Sequence, residues 1–243
     1  MDLDLIRHLL APTGALRAGI NMSNRLLVSG TDENGDPVGV SPGVAAEIAA
    51  RLGVPLKLVK YKGPGDVADA AALGEWDIGN IGAEPERAKT ILFTRAYSEI
   101  EATYLVREAS DLSSVAEVDA PGRRIAVKAR SAYGLWLERN VRHAELVLVP
   151  PDQDTFQVFA DGTCDALAGL RTGLAKDLGR MTGARVLDGR FTAVQQAVGT
   201  PVKNAAAFEW LETTVATLIA QGTVQRLIET YQVEGLSVAS QTA

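Results

Sequence analysis

Short apolar runs and 3.6-spaced apolar stripes take turns along almost the whole chain. Leu3 to Leu10 reads as an opening helix, and Leu16-Arg17-Ala18-Gly19-Ile20 as a strand after the turn Pro12-Thr13-Gly14. Leu26 to Ser29 and Pro37 to Val40 flank Asn34-Gly35, a strong short hairpin signal. Val44, Ala45, Ile48, Ala49 and Leu52 form one helical face closed by Gly53, with Ser41 read as N-cap and Pro42 as first helical residue. A strand at Leu56 to Val59, a helix through Val67 to Leu73 and a strand around Trp76-Asp77-Ile78-Gly79-Asn80 complete a βαβ rhythm. That rhythm predicts a mostly parallel sheet with helices on both faces.

The rhythm restarts with strands at Arg124 to Val127, Leu146 to Val149, Asp165 to Ala168 and Arg185 to Leu187. Helices are predicted between them, at Ser131 to Arg142, Asp154 to Ala160 and Gly173 to Arg180. Two extended stretches without turn residues, Glu99 to Val106 and Phe191 to Val198, separate the two sets. Two amphipathic helices follow, the first with Phe208, Leu211, Val215, Leu218 and Ile219 on one face. Two α/β lobes joined by two extended crossings account for this pattern: 1–100 with 193–243 as lobe 1, and 101–192 as lobe 2. A ligand is then expected in a cleft between the lobes, at the carboxyl ends of the strands. Trp76, Trp136 and Trp210 fall inside regular elements and read as core or half-buried surface.

Composition narrows the chemistry. The 243 residues carry a net charge of −6, so nucleic acid is not an expected partner. Cys164 is the single cysteine and reads as a buried thiol; with His8 and His143 the only histidines, no metal site or cofactor is expected. No run approaches the 18 or so apolar residues of a membrane span. The segment MDLDLIRHLLAPTGALRAGI has acids before its first base and no long apolar core, unlike a secretory signal. The residues leave the compartment open: periplasmic if a leader was removed, cytoplasmic if Met1 is the native start. A monomer is expected.

Two motifs lead nowhere. Gly39-Val40-Ser41-Pro42-Gly43 matches the nucleophile elbow of hydrolases, but no acid-then-histidine order accompanies it. Asp32, Asn34 and Asp36 suggest a calcium loop, yet Pro37 and Gly43 stand where glycine and glutamate are needed.

An ordered set of weak motifs is more informative. Leu16-Arg17-Ala18-Gly19, Gly39-Val40, Arg51-Leu52-Gly53, Leu73-Gly74-Glu75-Trp76-Asp77, Glu84-Pro85-Glu86-Arg87, Phe93-Thr94-Arg95-Ala96-Tyr97 and Gly162-Thr163-Cys164-Asp165-Ala166 occur in sequence. Together they resemble the type 2 periplasmic binding proteins, specifically the family 3 solute-binding proteins of amino-acid ABC transporters. The resemblance implies a two-lobed type II fold with two hinge strands, closing on a small carboxylate-bearing ligand, with an ABC permease as partner. It places the ligand carboxylate on Arg87, whose planar fork gives two parallel charge-assisted hydrogen bonds. Asn80 and Gly82 fall where the family offers hydroxyls and backbone N–H groups. Ser131 falls at the start of the capping helix, with Ala132 and Tyr133 beside it; it serves either as ligand contact or as simple N-cap. Tyr133 reads either as a cover for a flat ligand or as core. The family's usual glycine is replaced by Arg130.

Three departures concern the ligand, two of them its amino group and the third its side chain. Leu170 stands where the family's ammonium-pairing aspartate is expected, Asn21 replaces a first-lobe acid, and Asn24 replaces a stacking aromatic. An organic acid or modified amino acid is therefore expected in place of a standard one, because a buried ammonium without a carboxylate is costly. Arg171 suggests a ligand with a second acidic end; the alternative pairs it with Asp165 or Asp177. Glu101, on the first crossing, could face a cationic group. Of Gln195 and Gln196 only one can face the cleft. Other readings are a lyase resembling the cyclohexadienyl dehydratases, with Glu101 as proton donor, and a cytosolic sensor or carrier.

Overall fold

A computed structural model describes residues 2–240. Contacts divide the chain into two units, one running up to Glu99 and resuming at Gln195, the other comprising Ile100–Val194. In the first unit, helix α1 (Leu3–Leu10) and strand β1 (Leu16–Asn21) precede a two-stranded hairpin, β2 (Gly30–Thr31) and β3 (Pro37–Val38). Then come α2 (Val40–Leu52), β4 (Leu56–Tyr61), α3 (Pro64–Leu73) and β5 (Ile78–Gly82). Strand β6 (Ile91–Arg107) leads into the second unit, which holds β7 (Arg124–Lys128), α4 (Ala132–Asn140), β8 (Glu145–Val149), α5 (Thr155–Ala160), β9 (Ala166–Leu170), α6 (Arg171–Asp177) and β10 (Ala184–Val186). Strand β11 (Thr192–Pro201) returns to the first unit, which ends with α7 (Phe208–Ala220), α8 (Thr223–Thr230) and β12 (Ser237–Val238).

Within the first unit β1 lies between β4 and β5, parallel to both, and β11 runs antiparallel to β5. Within the second, β7 lies between β8 and β9, parallel to both, and β6 pairs antiparallel with β9 and β10. Such sheets are covered on both faces, so their strands are apolar at successive positions. In β6, Tyr104 and Val106 join Ile125, Val127 and Leu137 on one face, while Leu105 joins Ala126, Phe156, Phe159 and Leu174 on the other. Buried Cys164 packs in the second of these clusters.

Two local predictions need correction. The hairpin strands are two residues long, and residues 25–27 form a turn in which Asn24 O accepts from Leu27 N (3.0 Å) and Val28 N (2.9 Å). Helix α2 begins at Val40 with Gly39 as N-cap, which puts Ser41 and Pro42 inside the first turn. Glycine is needed at position 39 because its φ is 145° and a Cβ there would lie 2.5 Å from Leu27 O.

Three carboxyl groups of the second unit are held below their usual range. Burial works against the charge of Asp119, but N–H groups of Ala144, Arg142 and His143 together outweigh it and hold its carboxyl below the usual range. Asp154 is held low by Arg180 and by the N–H of Phe156, and Glu117 by the N–H and hydroxyl of Ser113. Depressed folded pKa values give stability that is present above the unfolded value of about 4 and lost as pH falls through the folded ones. Acid is therefore expected to open the second unit, and Asp119→Asn to reduce that pH dependence. Amide exchange resolved by residue between pH 6 and pH 3 checks this; equal acid response in the variant would count against it.

Candidate functional site

Parallel strands in a βαβ unit all end on the same edge, and in the first unit that edge carries most of the predicted polar positions. Register sets Ile20 beside Asn80 and Asn21 beside Tyr61. Asn21 is buried, and its Oδ1 accepts from Ser23 N (3.1 Å) and Ser23 Oγ (2.8 Å); Asn24 Oδ1 accepts from Leu26 N (3.1 Å). Both asparagines thus build the turn after β1, with their carboxamide oxygens already engaged. The N–H groups are what they can offer a ligand.

Asn80 is 1% exposed, and its Nδ2 donates to Ser41 O at 3.1 Å. It ties β5 to the first turn of α2. Two residues on, Gly82 O accepts from Arg87 Nη1 at 2.7 Å. Arg87 opens a single 3-10 turn (Arg87–Lys89), in which its own N–H donates to Glu84 O (2.9 Å), and the residue is 5% exposed. The guanidinium thereby donates to the last residue of β5, while the backbone of the same residue closes the turn that follows. Gly82 and Arg87 are thus hydrogen-bonded to each other, while Asn80, on the same strand as Gly82, is bonded to Ser41.

The second unit treats its predicted residues differently. Ser131 is the N-cap of α4: its Oγ accepts from Gly134 N (3.0 Å) and donates to Lys128 O (2.7 Å). Gly134, which sequence reasoning missed, is required there, since a Cβ would lie 2.8 Å from both Lys128 O and Ser131 Oγ. Arg130 has φ 61°, so this arginine takes the left-handed backbone that a glycine would accept without strain. Ser131→Ala is expected to destabilise the unit by about 1 kcal/mol, the usual worth of a cap; urea unfolding measures it, and no loss would remove the capping role. Ala132 is the first residue of α4 and is buried. Tyr133 packs against the core beside Trp136, and burial pushes its hydroxyl up to about 12, with Ser131 opposing the shift.

Arg171 is committed to protein acceptors. Its Nε donates to Glu101 Oε2 at 2.8 Å, its Nη1 to Leu187 O at 3.3 Å and its Nη2 to Gly189 O. Neither Asp165 nor Asp177 is the partner: Asp165 takes Arg124 N and Arg123, and Asp177 takes Arg180. Arg171 therefore clasps α6 to the segment before β11. Glu101 receives Arg190 Nη1 as well, at 3.5 Å. Its side chain remains 45% exposed. On the crossings, Gln196 is buried, while Gln195 Nε2 donates to Glu99 Oε2 at 3.1 Å.

A family model described as bacterial extracellular solute-binding proteins, family 3, matches residues 16–234. The chain belongs to this family. No curated protein matches the sequence of this solute-binding protein. Among solved structures it is similar to a mutant of ArgBP from T. maritima, at 21% identity and TM-score 0.72 over 96% of this chain and 100% of that one. An amino acid ABC transporter substrate-binding protein from Streptococcus pneumoniae, bound to L-arginine, gives 18% identity and TM-score 0.72 over 97% and 99%. An ancestral amino acid-binding protein described as a precursor of cyclohexadienyl dehydratase gives 22% and 0.70 over 94% and 98%. The fold is that of the type II periplasmic binding proteins over nearly the whole chain. This solute-binding protein thus has the architecture of amino-acid ABC transporter components.

Proposed function

We propose that this protein binds a small carboxylate-bearing solute, an organic acid or modified amino acid, on Arg87 and serves ABC-type uptake of it without turning it over. The supporting observation is the Arg87 guanidinium, buried at the end of β5, where its Nη1 donates to the Gly82 carbonyl. A guanidinium held in this way keeps its planar fork oriented, so little side-chain entropy is lost when a carboxylate docks. Surroundings of low dielectric strengthen that bond.

Glu101 supports binding over catalysis. It is the carboxylate a lyase would need as proton donor, yet it is half-exposed and shared by Arg171 and Arg190. Delivery to an ABC permease is part of the proposal and rests on family membership.

A thermal-shift screen against dicarboxylates, aromatic acids, keto acids and amino acids tests the reading. A carboxylate present at about 100 times its Kd should add roughly 2.7 kcal/mol of stability. NMR of the same mixture should show the solute unchanged after hours. Stabilisation only by uncharged compounds, or a solute that is consumed, would defeat it.

A further inference from the structure

We infer that the C-terminal strand β12 is a strap: it holds β6 up to Glu99 and so confines bending of this crossing to Ile100 and Glu101. The inference goes beyond solute binding and holds whichever solute occupies the Arg87 site. β12 lies beyond residue 234, where the match to the family model ends.

Strand β6 runs through the division between the units, which falls after Glu99. Its main-chain partners change there. β12 pairs antiparallel with it, Ser237 opposite Glu99 and Val238 opposite Ser98, and Ala239 N donates to Tyr97 O at 3.3 Å. The pairing with β9 starts only at Ala102, opposite Leu170. Alternation puts both partners on one side of β6. Ala102 O and Tyr104 O accept from Phe191 N (3.0 Å) and Leu187 N (2.8 Å), so even-numbered carbonyls face the segment that holds β10 and β11. Odd-numbered ones face the other way, Tyr97 and Glu99 toward β12, Thr103 and Leu105 toward β9. Glu101 falls in the gap between the two.

Side chains change allegiance over the same residues. Glu99 accepts from Gln195 Nε2 at 3.1 Å, a residue of the first unit. Glu101 accepts from Arg171 Nε at 2.8 Å and Arg190 Nη1 at 3.5 Å, both of the second. β12 is itself anchored: Leu236 and Ala239 are buried, and α8 packs against it. Because β11 lies along the other edge of β6, the main chain before the division is bonded on both sides. A main chain bonded on both sides resists rotation, whereas one open on a side rotates at lower cost. The strap therefore carries the rigidity of the first unit to Glu99, and the bend is left to Ile100 and Glu101.

Amide exchange resolved by residue along β6 tests this in the full chain and in its Ser237→Pro, Leu236→Ala and Ser237→Ala variants. In the unsubstituted protein exchange should be fastest at Glu101, between protected Glu99 and Thr103. Proline at 237 removes the donor facing Glu99, and alanine at 236 removes the buried anchor. Each should speed exchange at Glu99 about 2- to 12-fold, the worth of one main-chain hydrogen bond, and leave Thr103 unchanged. Ser237 is exposed, so Ser237→Ala should alter neither. Protection at Glu101 equal to that at Glu99 and Thr103 would overturn the inference, because the bend would have no weak point there. Unchanged exchange at Glu99 in both Ser237→Pro and Leu236→Ala would overturn the strap. Equal acceleration at Glu99 and Thr103 would also overturn it, as general loosening.

Discussion

Replacing Arg87 by alanine is expected to weaken carboxylate binding by roughly 30-fold to several thousand-fold, the about 2–5 kcal/mol lost when one member of a buried charge pair is removed. The substitution does two things. It deletes the fork that accepts a carboxylate in two parallel bonds, and it strips Gly82 O of the donor that lies 2.7 Å away. The second effect is a matter of folding and should cost only about 1 kcal/mol of stability. Measuring melting temperature and Kd together separates the two. Arg87→Lys sharpens the distinction: the charge survives, but an ammonium cannot satisfy both oxygens of a carboxylate in one plane. It should recover less than half of the lost free energy. A lysine variant with full affinity would mean that the site reads charge alone, and an alanine variant with full affinity would move the carboxylate elsewhere.

The fold was legible from alternation because each strand of a doubly covered sheet is apolar on both faces and each helix on one. Leu16 to Ile20, Arg124 to Val127 and the stripe through Val44 to Leu52 all lie in elements of the predicted type. Boundaries were less legible where glycine geometry decided them. Ser41 looks like a cap in sequence, but the backbone at Gly39 can only be glycine's, so the helix begins earlier. Side-chain roles were least legible. Whether Arg171 faces solvent or its own chain depends on where Leu187 and Gly189 fall, and residues 16 and 18 positions away leave no local signal.

A deeper regularity was also hidden. The order β1-α2-β4-α3-β5 in the first unit recurs as β7-α4-β8-α5-β9 in the second, and in each the first strand lies between the other two. Both copies fasten their third strand with an aspartate. Asp77 Oδ2 accepts from Arg17 N at 2.9 Å while Asp77 N donates to Arg17 O at 2.9 Å. Asp165 Oδ2 accepts from Arg124 N at 2.8 Å, and Asp165 N donates to Arg124 O at 2.8 Å. The bonded residues are 60 positions apart in one copy and 41 in the other, so no fixed sequence period exposes the plan. Arg17 adds its guanidinium to its aspartate at 2.7 and 3.0 Å, whereas Arg124 sends its own to Glu145 and Thr163. The main-chain pairing is thus the shared element, and the ion pairs are variations on it.

Trp76→Ala is expected to be the most damaging substitution to stability, at about 3–5 kcal/mol, and its cause lies in two glycines. Trp76 is fully buried, and its Nε1 donates to Val67 O at 2.8 Å. Gly19 and Gly79 are register partners on β1 and β5, and a Cβ on either would come within 3.0 Å of the indole. The ring therefore lies over a patch of the sheet made bare for it. Alanine at position 76 would leave a cavity that glycines cannot fill and would remove the donor to Val67 O. Conversely, Gly79→Ala should cost about 1–3 kcal/mol by overpacking against the ring. In a Trp76→Leu background that cost should largely vanish, because the crowded atoms are gone; the two changes share one contact and should not add. Urea unfolding of the two single variants and the double variant measures the coupling. Additive losses would mean that the glycines answer to backbone demands, leaving the indole's fit to the sheet without a role in their choice.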